Sequence, residues 1–327
     1  MYRGSHLGLR TDCRNVLTQV LQTQPPRTLS TVASDQPQQQ PPPLPVVCIS
    51  WNSAGTVVAV ASGTCSGALL EHHVGHVLTW NTSRSVMKPN SPDVSIDLGL
   101  GTCCTSLAFH PQQPSLLAGG TSTGAIFMCC AYPHPAAPFC NTLRRWDTAR
   151  PAGQLQLYCN AAAHKGFVSG AQWMFDPTTR RYLLLTASND GSGCVWTLTN
   201  RLSAPIASCS FNAQDLGRAG DRYPSFRGAL HVSCLAVSPT DHGVFAIGTV
   251  GGGVIRGIVD FQRLASGAAD AGGSGFVVGS GASAIKLLTA HAPHRDAQSV
   301  ISQPAIGVSL SALQVCCTDH HCPSDLL

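Results

Sequence analysis

Charge is what this sequence has least of. Asp, Glu, Lys and Arg make up 11% of its 327 residues, against roughly 25% in an ordinary soluble domain. The net charge is +4, and no five like charges follow one another. No basic tail is offered to a phosphate backbone, so a nucleic-acid partner is not expected. No run of eighteen apolar residues occurs, so no membrane-spanning helix and no membrane insertion are expected. The first thirty residues lack the continuous apolar core of a secretion signal. Arg3, Arg10, Arg14 and Arg27 give them a faint transit-peptide character, but a basic, unstructured leader is the simpler reading. No G-x-S-x-G elbow, Walker loop or H-E-x-x-H is present. The Gly-rich stretch Gly272–Gly281 lacks the lysine that phosphate binding uses and reads as a linker. With acids this sparse, no catalytic group, cofactor or enzyme activity is expected.

What the chain has is glycine, proline, cysteine and apolar residues: 32 Gly, 22 Pro, 15 Cys and 43% hydrophobic. The cysteines are odd in number and scattered, and are read as reduced, mostly buried thiols of a cytosolic protein. Residues 1–45 form a leader that ends in the Gln/Pro tract Gln36–Pro45, which favours solvated, extended backbone. Order is expected from Val46.

From there one pattern recurs. A short apolar strand ending in an aromatic is followed by a polar turn. A second strand ends in small residues, and a Gly precedes a third. The copies are VVCISWNSAGTVVAVASG with GHVLTWN, then CCTSLAFHPQQPSLLAGGTSTGAIFM, then FVSGAQWMFDPTTRRYLLLTASNDGSGCVWTL, then HVSCLAVSPTDHGVFAIGTVGGGVIRG. First-strand anchors Trp51, Phe109, Trp173 and Val237 are 58, 64 and 64 residues apart. Gly75 precedes Trp80 by five, as Gly191 precedes Trp196, and each Gly is assigned to the turn between second and third strands. A single four-stranded blade cannot cover both its faces, whereas blades stacked around an axis can. The expected fold is all-β, a β-propeller of about four recognisable blades, with a β-sandwich as the alternative. The blades span residues 46–290 and an irregular tail spans 291–327.

The copies resemble WD repeats. CISWNSAGTVVAVASG with TWNTSR, and SLAFHPQQPSLLAGGTSTGAIF, resemble the first two blades of the dynein intermediate chain family. Within it the chain is most similar to the dynein-2 type of intraflagellar transport. The resemblance implies a non-catalytic scaffold that binds a dynein heavy chain and dynein light chains. It implies residence in the cytoplasm and cytoskeleton, and in the cilium or flagellum, at its base and axoneme. Trp51, Trp80, Phe109, Trp146, Asp147, Trp173, Asp190 and Trp196 are the expected structural anchors of the blades, the aromatics as core residues. Thr18, Gln19 and Val20 resemble short peptides that add as an edge strand to a dimeric dynein light chain. A WD-repeat adaptor of another complex, such as a ubiquitin-ligase substrate receptor, is the rival reading, since Trp146-Asp147 with Arg150 is similar to that group's signature.

Three features depart from the pattern. Cys129–Arg145 separates the strand ending at Met128 from Trp146-Asp147, and reads as an insertion in an otherwise ordinary blade. The family ring needs more blades than four, so the propeller is expected to be incomplete, with truncation favoured over completion by a partner. Arg256 stands where the fourth blade's aromatic is expected. Two clusters carry metal-ligand residue types: Cys316, Cys317, His320, His321 and Cys322, and His72, His73 and His76. The first is too compact to close a tetrahedral site, and the second reads as a solvated loop before a third strand. No metal is expected at either.

Overall fold

The computed structural model describes residues 45–63, 74–83, 92–131, 157–160, 163–200, 202–212, 216, 230–250, 252–270 and 284–291. They form sixteen strands in four antiparallel sheets of four, each in simple sequential order. Blade 1 is β1 (Val46–Trp51), β2 (Val57–Ser62), β3 (Val74–Asn81) and β4 (Val94–Leu100). Blade 2 is β5 (Cys104–Phe109), β6 (Leu116–Thr121), β7 (Ile126–Cys130) and β8 (Leu157–Asn160). Blade 3 is β9 (Val168–Asp176), β10 (Arg181–Ser188), β11 (Ser192–Thr197) and β12 (Ala207–Ser210). Blade 4 is β13 (Val232–Val237), β14 (Val244–Thr249), β15 (Val254–Val259) and β16 (Ile285–His291), with helix α1 (Phe261–Asp270) between its last two strands.

Local chemistry sets the turns. Asn52 accepts backbone N–H bonds from Thr56 (2.8 Å) and Val57 (3.0 Å), which closes the β1–β2 turn around Gly55 at φ +66°. Asp176 closes β9–β10 by accepting from the Thr178 N–H and the Thr179 hydroxyl. Thr121 and Thr249 each accept from the backbone four residues on, at 3.0 Å, in the β6–β7 and β14–β15 turns. Such side-chain bonds imitate backbone turns and are why Asn, Asp and Thr stand there.

The core lies between blades. Val57, Ala59, Ala61 and Val77 of blade 1 meet Phe109, Leu117, Phe127 and Cys129 of blade 2. Leu116, Ala118, Ile126 and Met128 of blade 2 meet Trp173, Leu184, Cys194 and Trp196 of blade 3. Met174, Leu183, Leu185 and Val195 of blade 3 meet Phe245, Ile247 and Ile255 of blade 4. Blade 2 is therefore covered on both faces, and β6 and β7 are buried at every position. Burying each Leu or Phe contributes roughly 1.5–3 kcal/mol relative to exposure. Inner strand packs on inner strand, β1 on β5, β5 on β9 and β9 on β13, and among the described residues β13 makes no comparable contact with β1. Among the described residues the architecture is all-β and propeller-like, and the ring is not closed.

Four details differ from the sequence reading. Cys129 and Cys130, assigned to the insertion, are the last residues of β7 and pair with Leu117 and Leu116. They are apolar enough to continue a buried strand. Gly75 lies inside β3 rather than in a turn. A Cβ there would sit 2.2 Å from the Thr102 carbonyl oxygen, so its role is close approach of blade 2. His76 also lies in β3, paired with Ser62 and Asp97, not in the preceding connection. In blade 4 the turn glycine is Gly252 at φ +81°, matching Gly191 at the same φ in blade 3. Counting five from each puts Gly257, not Arg256, opposite Trp196, and the Phe245 ring fills the space over Gly257.

Candidate interaction face

Blade 3 carries a hydrogen-bonded relay that ties one strand to its neighbours. The indole N–H of Trp196 on β11 donates to Thr186 Oγ1 on β10 at 2.9 Å. Thr186 Oγ1 lies 2.9 Å from His164 Nε2, and His164 Nδ1 lies 2.6 Å from Ser192 Oγ. Ser192 donates onward to Asp190 Oδ1 at 2.5 Å. With His164 neutral and donating from Nδ1 to Ser192, Thr186 donates to Nε2, with the Cys194 carbonyl a second acceptor at 3.4 Å. Burial favours that neutral state and lowers the His164 pKa from 6.5, against the opposing pull of the Asp190 charge. Burial works to raise the Asp190 carboxyl. Hydrogen bonds from the Ser192 side chain and from the backbone of Lys165, Ser192 and Gly166 outweigh it and bring it down to about 2. The relay fixes the approach to β9 against the β10–β11 turn, which is a structural task.

The other blades do not repeat it. Strand register places Trp80 opposite Val58 as Trp196 is opposite Leu184, so Val60 occupies the place of Thr186. Val60 has no hydroxyl, and the Trp80 indole N–H is buried without a partner. In blade 2 the matching residue is Cys129, and in blade 4 it is Gly257.

The inner strands are stapled across blades. Thr105 Oγ1 donates to the Val168 carbonyl at 2.6 Å, and Ser169 Oγ donates to the Val232 carbonyl at 2.5 Å. The Ala171 N–H donates to Ser106 Oγ at 2.9 Å, and the Trp173 indole donates to the Ala108 carbonyl at 3.0 Å. Around these strands runs a groove of about 500 Å³ lined by Cys48–Trp51 of β1, residues 105–109 of β5, Ser169, Gly170 and Gln172 of β9, and Cys234 and Leu235 of β13. Its polar groups are hydroxyls, thiols and one carboxamide. Among the described residues, no carboxylate, imidazole or ammonium lines it.

The anchors fall into three groups. Trp80, Phe109, Trp173 and Trp196 are buried. Asp190 is half-buried in the relay. Trp51, read as a core residue, is 41% exposed, although it occupies the register position at which Trp173 is 7% exposed. The difference is position: Trp173 faces blade 2, and among the described residues no blade lies on the corresponding side of blade 1. Val46, Val47 and Ile49 of the same strand are exposed too. Trp146, Asp147, Thr18, Gln19, Val20, His72, His73 and the cluster from Cys316 to Cys322 lie outside the described residues.

His164, Thr186 and Ser192 were missed by the sequence reading. The available signal was the Asp190-Gly191 turn followed by Trp196, with a histidine four residues before strand β9. His110 was missed as well. It accepts the Gln112 and Gln113 N–H groups at Nδ1 and meets Trp173 and Tyr182 edge-on, and burial lowers its pKa to about 4. The reading of all thiols as reduced is also corrected, because Cys103 and Cys130 are disulfide-bonded. Cys104 pairs with Thr121 and Cys130 with Leu116, which puts Cys103 and Cys130 at opposite ends of the blade. That is roughly 17 Å along the strand, too far for a bond to each other. Cysteine spacing could not show this, since pairing depends on which Cβ atoms the fold brings together. Among the described residues no group of three or more His, Cys, Asp or Glu is placed to hold a metal, and no helix is long and apolar enough to cross a membrane.

The chain matches no family model. It is similar to cytoplasmic dynein 2 intermediate chain 2 of Mus musculus, 30% identical over 218 residues, which is 64% of this chain and 36% of the mouse protein. It is similar to cytoplasmic dynein 2 intermediate chain 2 of Homo sapiens at 28% over 222 residues, 66% of this chain and 38% of the human protein. The chain thus spans under two fifths of the length of the curated relatives it matches. Among solved structures, Sqt1 of Saccharomyces cerevisiae superposes with a TM-score of 0.43 at 15% identity, covering 64% of this chain and 47% of that one. The two curated relatives bear out the sequence resemblance to WD-repeat dynein-2 intermediate chains.

Proposed function

We propose that this chain, a relative of the dynein-2 intermediate chains, is a non-catalytic scaffold subunit of a cytoplasmic dynein motor. The observation that carries the reading is the match to two curated intermediate chains over about two thirds of this sequence. The fold supports it physically. Among the described residues the groove is lined by no carboxylate, imidazole or ammonium, and its one strongly exposed element is the apolar strand β1. An exposed patch of Val46, Val47, Ile49 and Trp51 suits protein contact better than a small polar substrate. The heavy-chain tail is the partner assigned to the blades, and light chains are assigned to the leader around Thr18, Gln19 and Val20. The setting that follows is retrograde intraflagellar transport, with residence in the cytoplasm and cytoskeleton and at the ciliary base and axoneme.

Purification of the tagged full chain from ciliated cells tests this. Co-purification of a dynein-2 heavy chain at comparable abundance is expected. Recovery of ubiquitin-ligase adaptors with no dynein subunit overturns the reading in favour of a WD-repeat adaptor. For the leader, a peptide spanning Arg14–Gln24 is expected to bind a dynein light chain, and no binding at ~100 μM removes that part.

A further inference from the structure

We propose that Cys48 and Cys104 close into a reversible disulfide that ties blade 1 to blade 2 when the chain meets a small-molecule disulfide. The two residues stand on neighbouring inner strands, β1 and β5, that pack against each other. Cys104 belongs to the cluster between the blades, and Cys48 packs against that cluster. Cys48 lies close enough for its thiol to act on the ionisation of Cys104. Cys104 Sγ is located by its bond to the Ser106 carbonyl at 3.3 Å. Both thiols are free. Cys48 is half-buried and lines the groove, so a soluble reagent can reach it, while Cys104 lies behind it.

Thr79 Oγ1 of blade 1 donates to the Ala131 carbonyl beyond β7 at 2.7 Å, but the inner strands at this junction lack a hydroxyl tie. Thr105 and Ser169 bond the inner strand of the following blade at the next two junctions. Strand register places Val47 at that position in blade 1, where no hydroxyl is present. A Cys48–Cys104 bond supplies covalently what those hydroxyls supply elsewhere.

The chemistry balances in two exchanges. The Cys48 thiolate attacks one sulfur of the small disulfide, and that S–S bond breaks and releases one small thiolate, which takes up a proton. Cys104 then gives its proton to water and attacks Cys48 Sγ, and the second small thiolate leaves and is protonated. Two protein thiols are oxidised and one small disulfide is reduced to two thiols. Burial foremost, with the Cys48 contact, raises the Cys104 thiol well above its ordinary range, so the second exchange is the slow one.

The test incubates the full chain with oxidised glutathione and maps disulfides by mass spectrometry after acid quench, alkylation and chymotryptic digestion. A Cys48–Cys104 link is expected in the wild type and in Cys129→Ser, and is absent from Cys48→Ser and Cys104→Ser. Oxidation is expected to raise the urea midpoint of the wild type and leave that of Cys48→Ser unchanged. A lasting glutathione adduct on Cys48 with Cys104 still reduced overturns the proposal. So does a link between Cys104 and Cys129, or no modification of Cys48 at all.

Discussion

A single hydroxyl decides whether a buried tryptophan is satisfied. Thr186 accepts from Trp196 and faces His164, so Thr186→Val strands an indole N–H and an imidazole nitrogen in an apolar setting. The expected cost is about 1–3 kcal/mol, read from urea unfolding. Blade 1 already shows that state, with Val60 in the place of Thr186 and the Trp80 indole N–H unpartnered. Protonation acts on the same residues. Burial keeps His110 and His164 neutral when folded, with His110 at about 4, while the unfolded chain takes up protons below about 6.5. Stability is therefore full above that value and falls as pH drops from about 6.5 toward 4. The measurement is the urea midpoint between pH 7.5 and 4.5, and His110→Asn is expected to flatten the slope. Asp190, at about 2 when folded, adds a second loss as pH falls below its unfolded value near 4. Asp190 and Trp196 were legible because an Asp-Gly turn precedes a Trp by a fixed count. His164 and Thr186 were not read, since a histidine 22 residues from its partner is marked only by its place four residues before β9.

At the scale of elements, three strands per blade were readable and the fourth was not. The inner three carry aromatic and small-residue landmarks, with a Trp five residues after a Gly in blades 1 and 3. The outer strands are short and weakly patterned, as in β12, Ala-Ser-Cys-Ser, alternating half-buried and exposed. They pair with only one neighbour, so little in their own sequence demands a strand. Gly75 shows how an element's register depends on its neighbour. Gly75→Ala drives a methyl into the Thr102 carbonyl oxygen and within 2.8 Å of the Cys103 Cα, backbone atoms that yield only if blade 2 shifts. A loss of about 1–3 kcal/mol is expected, seen as a lower thermal midpoint. Gly55 has open space around its Cβ, and its constraint is the turn's positive φ alone.

For the whole molecule, the decisive asymmetry is between equivalent tryptophans. Trp173 is packed and bonded to Ala108, while Trp51 at the same register is 41% exposed. Trp51→Ser is expected to change stability by less than about 0.5 kcal/mol and, on the proposed scaffold role, to weaken heavy-chain capture by roughly tenfold. Unchanged capture would remove β1 from the interface. Trp173→Ser is expected to destabilise the chain by about 3–5 kcal/mol. The sequence by itself determined the strand type, the repeat, the turn chemistry and the kinship, because each is written in residues close together along the chain. Only the tertiary structure decided which anchor is buried, which glycine replaces a tryptophan, and which cysteines meet. Those outcomes depend on what each blade finds on its other side, and the packing partner is a whole blade away in sequence.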